Sequence, residues 1–145
     1  MLISDVLHAK GQHEVLRIRT IDRVTDAVGR LWKHSIGALV VEDRWMKLVG
    51  MFSERDVVSS IARHGPAALN CEVHEVMSSP LVSCRSDDRI DAVLARMTVS
   101  RMRHMPVIDD GRVMGIVSIG DLVKHRLDEK ELETNVLLEL SRMRA

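Results

Sequence analysis

Gly50-Met51-Phe52-Ser53-Glu54-Arg55-Asp56 returns about 65 residues later as Gly115-Ile116-Val117-Ser118-Ile119-Gly120-Asp121. In each copy an apolar run, Leu48 to Phe52 and Val113 to Val117, leads into a polar turn and then a helical pattern. Ser and Asp stand three residues apart at both junctions. A Ser at the N-cap and an Asp at the third helical position can satisfy orphan backbone N–H groups reciprocally, so the spacing alone reads as a pair of capping boxes. The same groups also suit a ribose phosphate, with N–H groups and Ser on the phosphate and Asp accepting from the ribose hydroxyls. Repetition shifts the weight toward this second reading.

Outward from the motif, the two halves of the chain match element by element. Ile3, Val6 and Leu7 follow helical spacing behind Ser4 as a candidate N-cap, with a stop at Lys10-Gly11; Val73, Val76 and Met77 repeat the pattern before Ser78-Ser79-Pro80. Short apolar runs come next, Val15 to Ile18 and Leu81 to Cys84, each long enough for a brief strand. Arg19-Thr20-Ile21-Asp22-Arg23 and Arg85-Ser86-Asp87-Asp88-Arg89 share three of five residues. Two amphipathic helices of equal phase follow, carried by Val24, Ala27, Val28, Leu31 and by Ile90, Val93, Leu94, Met97. Second strands are expected at Ile36 to Val41 and His104 to Ile108. Asp109-Asp110-Gly111-Arg112 is a hairpin signal, and Glu42 to Lys47 makes the matching turn one residue longer. His64-Gly65-Pro66 stops the helix of the first unit, and 66 to 72 reads as a linker.

The fold expected is α/β (α+β): two β-α-β-β-α repeats packed with pseudo-twofold symmetry, because neither small unit can bury its apolar surfaces alone. Residues 1–66 form the first repeat with its N-terminal helix, 67–128 the second, and 129–145 a helical extension. That extension keeps an apolar stripe of Leu132, Val136, Leu140 and Met143, flanked by Leu137 and Leu138, which asks for cover from the module or from a partner subunit.

Composition narrows the function. Net charge is zero, so no general attraction to nucleic acid or anionic membrane is expected. Trp32, Trp45 and Phe52 are the only aromatics, too few for a base-stacking platform. No run approaches the roughly 20 apolar residues of a membrane span, and the N-terminus lacks a signal-peptide pattern. Cys71 and Cys84 make no disulfide framework, which points to a reducing, cytoplasmic setting. Cys71 with His74 is half a metal site without a second pair, so no metal is expected. No nucleophile elbow or Walker loop gathers the Ser, His and Asp residues into a catalytic group.

Together with Gly-x-x-Ser-x-x-Asp, the blocks from His34 to Val41 and from Arg103 to Asp109 make the chain resemble a pair of CBS domains, a Bateman module, over about residues 3 to 128. The resemblance is to stand-alone two-CBS proteins of bacteria and plant organelles. It implies a regulatory sensor without catalytic activity or a required cofactor, binding an adenosyl ligand such as AMP, ADP, ATP, NAD or S-adenosylmethionine in clefts between the repeats. It also implies a homodimer. The competing reading is a structural dimerisation module without a ligand.

Carried over residue by residue, the resemblance implies one cleft lined by Ser53, Arg55, Asp56, Ser78, Val82, Met102, Arg103 and His104. The other would combine Ser118, Gly120 and Asp121 with Lys10, Ile18, Ile36, Gly37 and Ala38. Backbone groups around Met102 to His104 and Ile36 to Ala38 would address adenine, and the Asp residues ribose. Arg55, Arg103 and His104 give the first cleft more groups for phosphate, whereas Gly120, Gly37 and Ala38 leave the second with room and little charge. The expectation is tighter binding of phosphorylated nucleotide in the Asp56 cleft.

Overall fold

Leu39 and Val41 of one strand turn into the core of the first repeat, while Ala38 and Val40 of the same strand turn toward the second, so this strand is buried on both faces. The computed structural model describes residues 1–11 and 14–144; residues 12 and 13 of the first repeat and Ala145 of the extension lie outside the described residues. The elements are α1 (Ile3–Lys10), β1 (Arg17–Arg19), α2 (Val24–His34), β2 (Ala38–Glu42), β3 (Leu48–Ser53), α3 (Glu54–His64), α4 (Val73–Val76), α5 (Ile90–Ser100), β4 (His104–Asp109), β5 (Arg112–Ser118) and α6 (Ile119–Met143). The architecture is α+β, with β1 parallel to β2, β2 antiparallel to β3, and β4 antiparallel to β5.

Each repeat has its own core, and the two meet in a third. Ile18, Val24, Leu39, Val41 and Phe52 centre the first. Ile90, Val93, Met97, Met105, Val107 and Val117 centre the second. Between the sheets Ala38, Val40 and Met51 pack with Leu81, Met102, Val113 and Ile116. The short leading helices are exchanged. Ile3 and Val6 of α1 lie in the core of the second repeat, and Val73 and Val76 of α4 lie in the core of the first. Backbone bonds repeat the exchange in mirror form: Ile3 N–H donates to the Asp88 carbonyl (2.9 Å) and Val73 N–H to that of Asp22 (2.8 Å). Chain order assigned α1 to the first repeat; packing assigns it to the second.

Other differences from the sequence expectations have local causes. The strand expected at Leu81 to Cys84 is reduced to one bridge, Cys84 to Val107. In the first repeat Val40 N–H donates to the Leu16 carbonyl (3.3 Å). The matching position on β4 is Pro106, which has no N–H to offer Val82, so the ladder stops. α1 begins two residues earlier than Ser4 would set it: Leu2 is the N-cap, and its N–H donates to Asp5 Oδ2 at 2.9 Å. The linker is an ordered 3₁₀ helix, Gly65–Asn70, that buries Ala68. The hairpin turn at Asp110 and Gly111 takes φ of 49° and 78°, as Asp-Gly favours. The extension is continuous with α6, and Leu132, Leu137 and Met143 are 62%, 66% and 82% exposed, so its stripe is not covered by the module.

The two motif glycines answer to packing across the exchange. A Cβ on Gly50 would meet the Ser78 carbonyl oxygen at 2.6 Å, where Met51 and Ser78 pair backbone to backbone. A Cβ on Gly115 would meet Leu7 Cδ2 at 2.7 Å, the tip of a side chain. Backbone in a paired bridge cannot give way as a leucine tip can. Gly50→Ala is therefore expected to destabilise the protein by about 1–3 kcal/mol and Gly115→Ala by less, as read from urea unfolding midpoints; equal losses would contradict this account.

Candidate functional site

Both Ser-to-Asp junctions open onto clefts between the repeats, because β3 and β5 end there and hand the chain to α3 and α6. At the first, Ser53 N–H donates to Asp56 Oδ2 (2.9 Å) and its hydroxyl to the same oxygen (3.3 Å), while the Ser78 hydroxyl donates to Asp56 Oδ1 (2.9 Å). The second junction forms a fully reciprocal capping box. Ser118 N–H donates to Asp121 Oδ2 (2.9 Å), and Asp121 N–H donates to the Ser118 hydroxyl (3.0 Å). The Lys10 ammonium also donates to Asp121 Oδ2 (2.8 Å) and to the Ile116 carbonyl (2.9 Å). Burial works to raise the Asp121 pKa, but the hydrogen bonds from Lys10 and Ser118 and the Lys10 charge outweigh it and hold the carboxyl below the usual range.

The cleft at Asp56 encloses about 390 Å³ and is lined by Ser53, Arg55, Asp56, Ser78, Met102, Arg103 and His104, with Met51, Glu54 and Arg101 added. Val82 is not among its lining: it packs against the core of the second repeat. The Arg55 guanidinium donates to the Arg101 carbonyl (3.0 Å), joining α3 to the end of α5. The cleft at Asp121 is larger, about 1150 Å³, with Lys10, Ile36, Gly37, Ala38, Ser118 and Asp121 in its lining. The smaller volume falls within the range of small-molecule sites, and the larger lies just above it. Ile18 and Gly120 do not join this lining. Ile18 is fully buried in the first repeat's core, and Gly120 is exposed on the first turn of α6.

Sequence reading missed His8, Glu14 and His34, which line the larger cleft. His8 and Lys10 reach it because α1 docks on the opposite repeat, an arrangement that no spacing within α1 signals. The expectation of little charge in this cleft is corrected by the same docking, which brings the Lys10 ammonium onto Asp121.

His104 lines both clefts, and a Cβ on Gly37 would lie 2.7 Å from its Nε2, so Gly37 makes room for the imidazole. Burial lowers the His104 pKa, with Lys10 and Arg103 adding to it and Glu54 and Asp121 opposing. Cys84 is pushed up to about 12, chiefly by burial and then by Asp88, so it is a core thiol and not a nucleophile. Among the described residues no three His, Cys, Asp or Glu side chains gather as a metal site, and no helix is long and apolar enough to cross a membrane.

Two repeats with exchanged helices and a Ser–Asp helix start at each inter-repeat cleft define a paired-domain module. The sequence profile of the CBS domain matches residues 12–63 and 73–128. The chain belongs to the CBS-domain family. It is 34% identical over 138 residues to the mitochondrial CBS domain-containing protein CBSX3 of Arabidopsis thaliana, covering 90% of this chain and 67% of that one. Further curated relatives are covered over 63% and 59% of their length, so the chain spans about two thirds or less of these proteins. The CBS-domain protein ATU1752 of Agrobacterium tumefaciens superposes with a TM-score of 0.81 at 38% identity, over 86% of this chain and 92% of that one. The CBS domain pair of protein MJ0100, solved in complex with 5′-methylthioadenosine and S-adenosyl-L-methionine, superposes with a TM-score of 0.76 at 25% identity, over 89% and 98%.

Neutral His104 is favoured in the folded chain, whereas the unfolded chain accepts a proton near the ordinary value of 6.5. Its folded pKa is depressed, so the unfolded state binds more protons in the window between the two values, and stability from this residue is intact above pH 6.5 and falls below it. The midpoint of thermal unfolding should decline more steeply from pH 7.5 to 5.5 in the parent protein than in His104→Gln. Parallel declines would show that His104 does not contribute.

Proposed function

We propose that this protein is a regulatory sensor that binds an adenine nucleotide of the AMP, ADP, ATP or NAD kind in the clefts between its CBS repeats. The observation that carries the reading is the paired Ser–Asp helix start at the mouth of each cleft, where the carboxylates stand ready for ribose hydroxyls and the helix N-termini for phosphate. The adenosyl ligands of the MJ0100 domain pair support the same class of ligand here. The proposed contacts are Ser53, Arg55, Asp56, Ser78, Met102, Arg103 and His104 in one cleft and Lys10, Ile36, Gly37, Ala38, Ser118 and Asp121 in the other. The reading includes no catalytic step and no required cofactor; it assigns the clefts to binding. A ligand touching both repeats stabilises one arrangement of the pair over others, which is all a switch requires. Two free cysteines support a reducing, cytoplasmic setting.

A thermal-shift panel of AMP, ADP, ATP, NAD, NADH and S-adenosylmethionine tests the ligand class. At 100 times its dissociation constant a cognate ligand adds about 2.7 kcal/mol, seen as a rise of several degrees that Asp56→Ala and Asp121→Ala together abolish. No shift with any of the six would move the protein to the structural reading, a dimerisation module.

The exposed apolar side of α6, with Leu127, Leu132, Val136 and Leu140 at 47% to 63% exposure, supports a homodimer. Multi-angle light scattering is expected to give twice the 16.4 kDa chain mass. Polar replacement of Leu132 and Val136 should then shift the mass toward the monomer, and a monomeric parent protein would count against self-association.

A further inference from the structure

The two clefts complete their aspartates differently. Asp56 takes its cross-cleft hydrogen bond from a neutral hydroxyl, that of Ser78 at 2.9 Å. Asp121 takes its own from the Lys10 ammonium at 2.8 Å. Lys10 comes from the end of α1, the helix seated on the opposite repeat, and its second bond, to the Ile116 carbonyl at 2.9 Å, holds the ammonium at the wall of the cavity. An ammonium has three donors, so one is left for a ligand. A carboxylate offers about four acceptor positions, and the bonds from Ser118 N–H and Lys10 both fall on Oδ2. Oδ1 accepts no hydrogen bond among the described residues. The two side chains keep 36% and 27% of their surface exposed, so the pair faces the cavity and is not sealed beneath it.

These facts distinguish charged from neutral nucleosides. A ribose can donate to Asp121 Oδ1 without displacing Lys10. If the nucleoside is neutral, the carboxylate it meets is already partly neutralised by Lys10, and the ammonium finds only a neutral hydroxyl or ring nitrogen to donate to. If the nucleoside carries a phosphate, the ligand's own anion takes up the remaining Lys10 donor in a bond between two ionised groups, which adds Coulomb attraction to the hydrogen bond. His8 and His34 also line this cavity and add further hydrogen-bonding groups. The Asp56 cleft has about a third of the volume, and its Arg55 already donates to the Arg101 carbonyl.

We propose that Lys10 is a specificity-determining residue that makes the Asp121 cleft select phosphorylated over neutral adenine nucleosides. This gives a phosphate-directed group to the cleft that residue types alone leave with little charge, and it rests on the nucleotide-binding reading above.

The test is calorimetric titration with AMP and with adenosine, on an Asp56→Ala background that removes the ribose acceptor of the other cleft. The background protein should prefer AMP by about tenfold or more. Adding Lys10→Met should bring the two affinities within roughly threefold, chiefly by weakening AMP, whereas Lys10→Arg should retain the preference. An unchanged ratio in Lys10→Met overturns the proposal while leaving nucleotide binding intact. Absence of an AMP preference in the background protein also overturns it, whether or not the Lys10 variants fold. Failure of the parent protein to bind any adenine nucleotide refutes the underlying reading, and this inference with it.

Discussion

The apolar layer between the two sheets is the contact on which the remaining structure depends. β2 spends one face on its own repeat and the other, through Ala38 and Val40, on Met102, Val113 and Ile116 of the second. The two-stranded sheet of the second repeat would be marginal alone, and a repeat of this size buries too little surface by itself. Joining the sheets removes the second face of β2 from water at a cost only in orientation, because the chain already links the halves. The clefts follow from the same contact. The sheets approach at their apolar centres, the polar ends of β3 and β5 stay outside, and two Ser–Asp junctions are left facing the opposite repeat.

Exchange of α1 and α4 locks this arrangement. Each short helix is too small to persist by itself, yet each buries two apolar residues in the core of the other repeat. The exchange also carries chemistry. Residues immediately after α4 bring the Ser78 hydroxyl to Asp56, and the last residue of α1 brings Lys10 to Asp121. Each cleft is thus finished by a group from the segment that crosses over. A one-sided change in that segment, hydroxyl on one side and ammonium on the other, gives two similar frameworks different local charge.

His104 links the clefts physically. Its imidazole occupies the space that Gly37 leaves open, between one cleft lined by Arg55 and Arg103 and the other by Lys10 and Asp121. Its tendency to stay neutral follows from burial, reinforced by the two nearby cations Lys10 and Arg103. An uncharged ring at this point separates the two positive groups without adding to their repulsion.

The element order, the repeat and the two Ser–Asp junctions were legible from the sequence because each is local: strand and helix periods, a Gly stop, an Asp-Gly turn and a three-residue cap spacing depend on neighbours in the chain. The departures also have local causes once the partner is known, as where Pro106 denies Val82 a donor and ends a ladder. Ile18 and Val82 went to the cores and Gly120 to the surface because the side on which a residue of a short segment falls depends on what packs there. The resemblance already set Lys10 beside Asp121 and Ser78 beside Asp56, but the periodicity of the residues themselves left the partner of each leading helix open. An apolar pair such as Ile3 and Val6 fits either repeat by periodicity alone, and only the competing burial of both cores sends α1 across, taking Lys10 to Asp121 and setting the charge of the larger cleft.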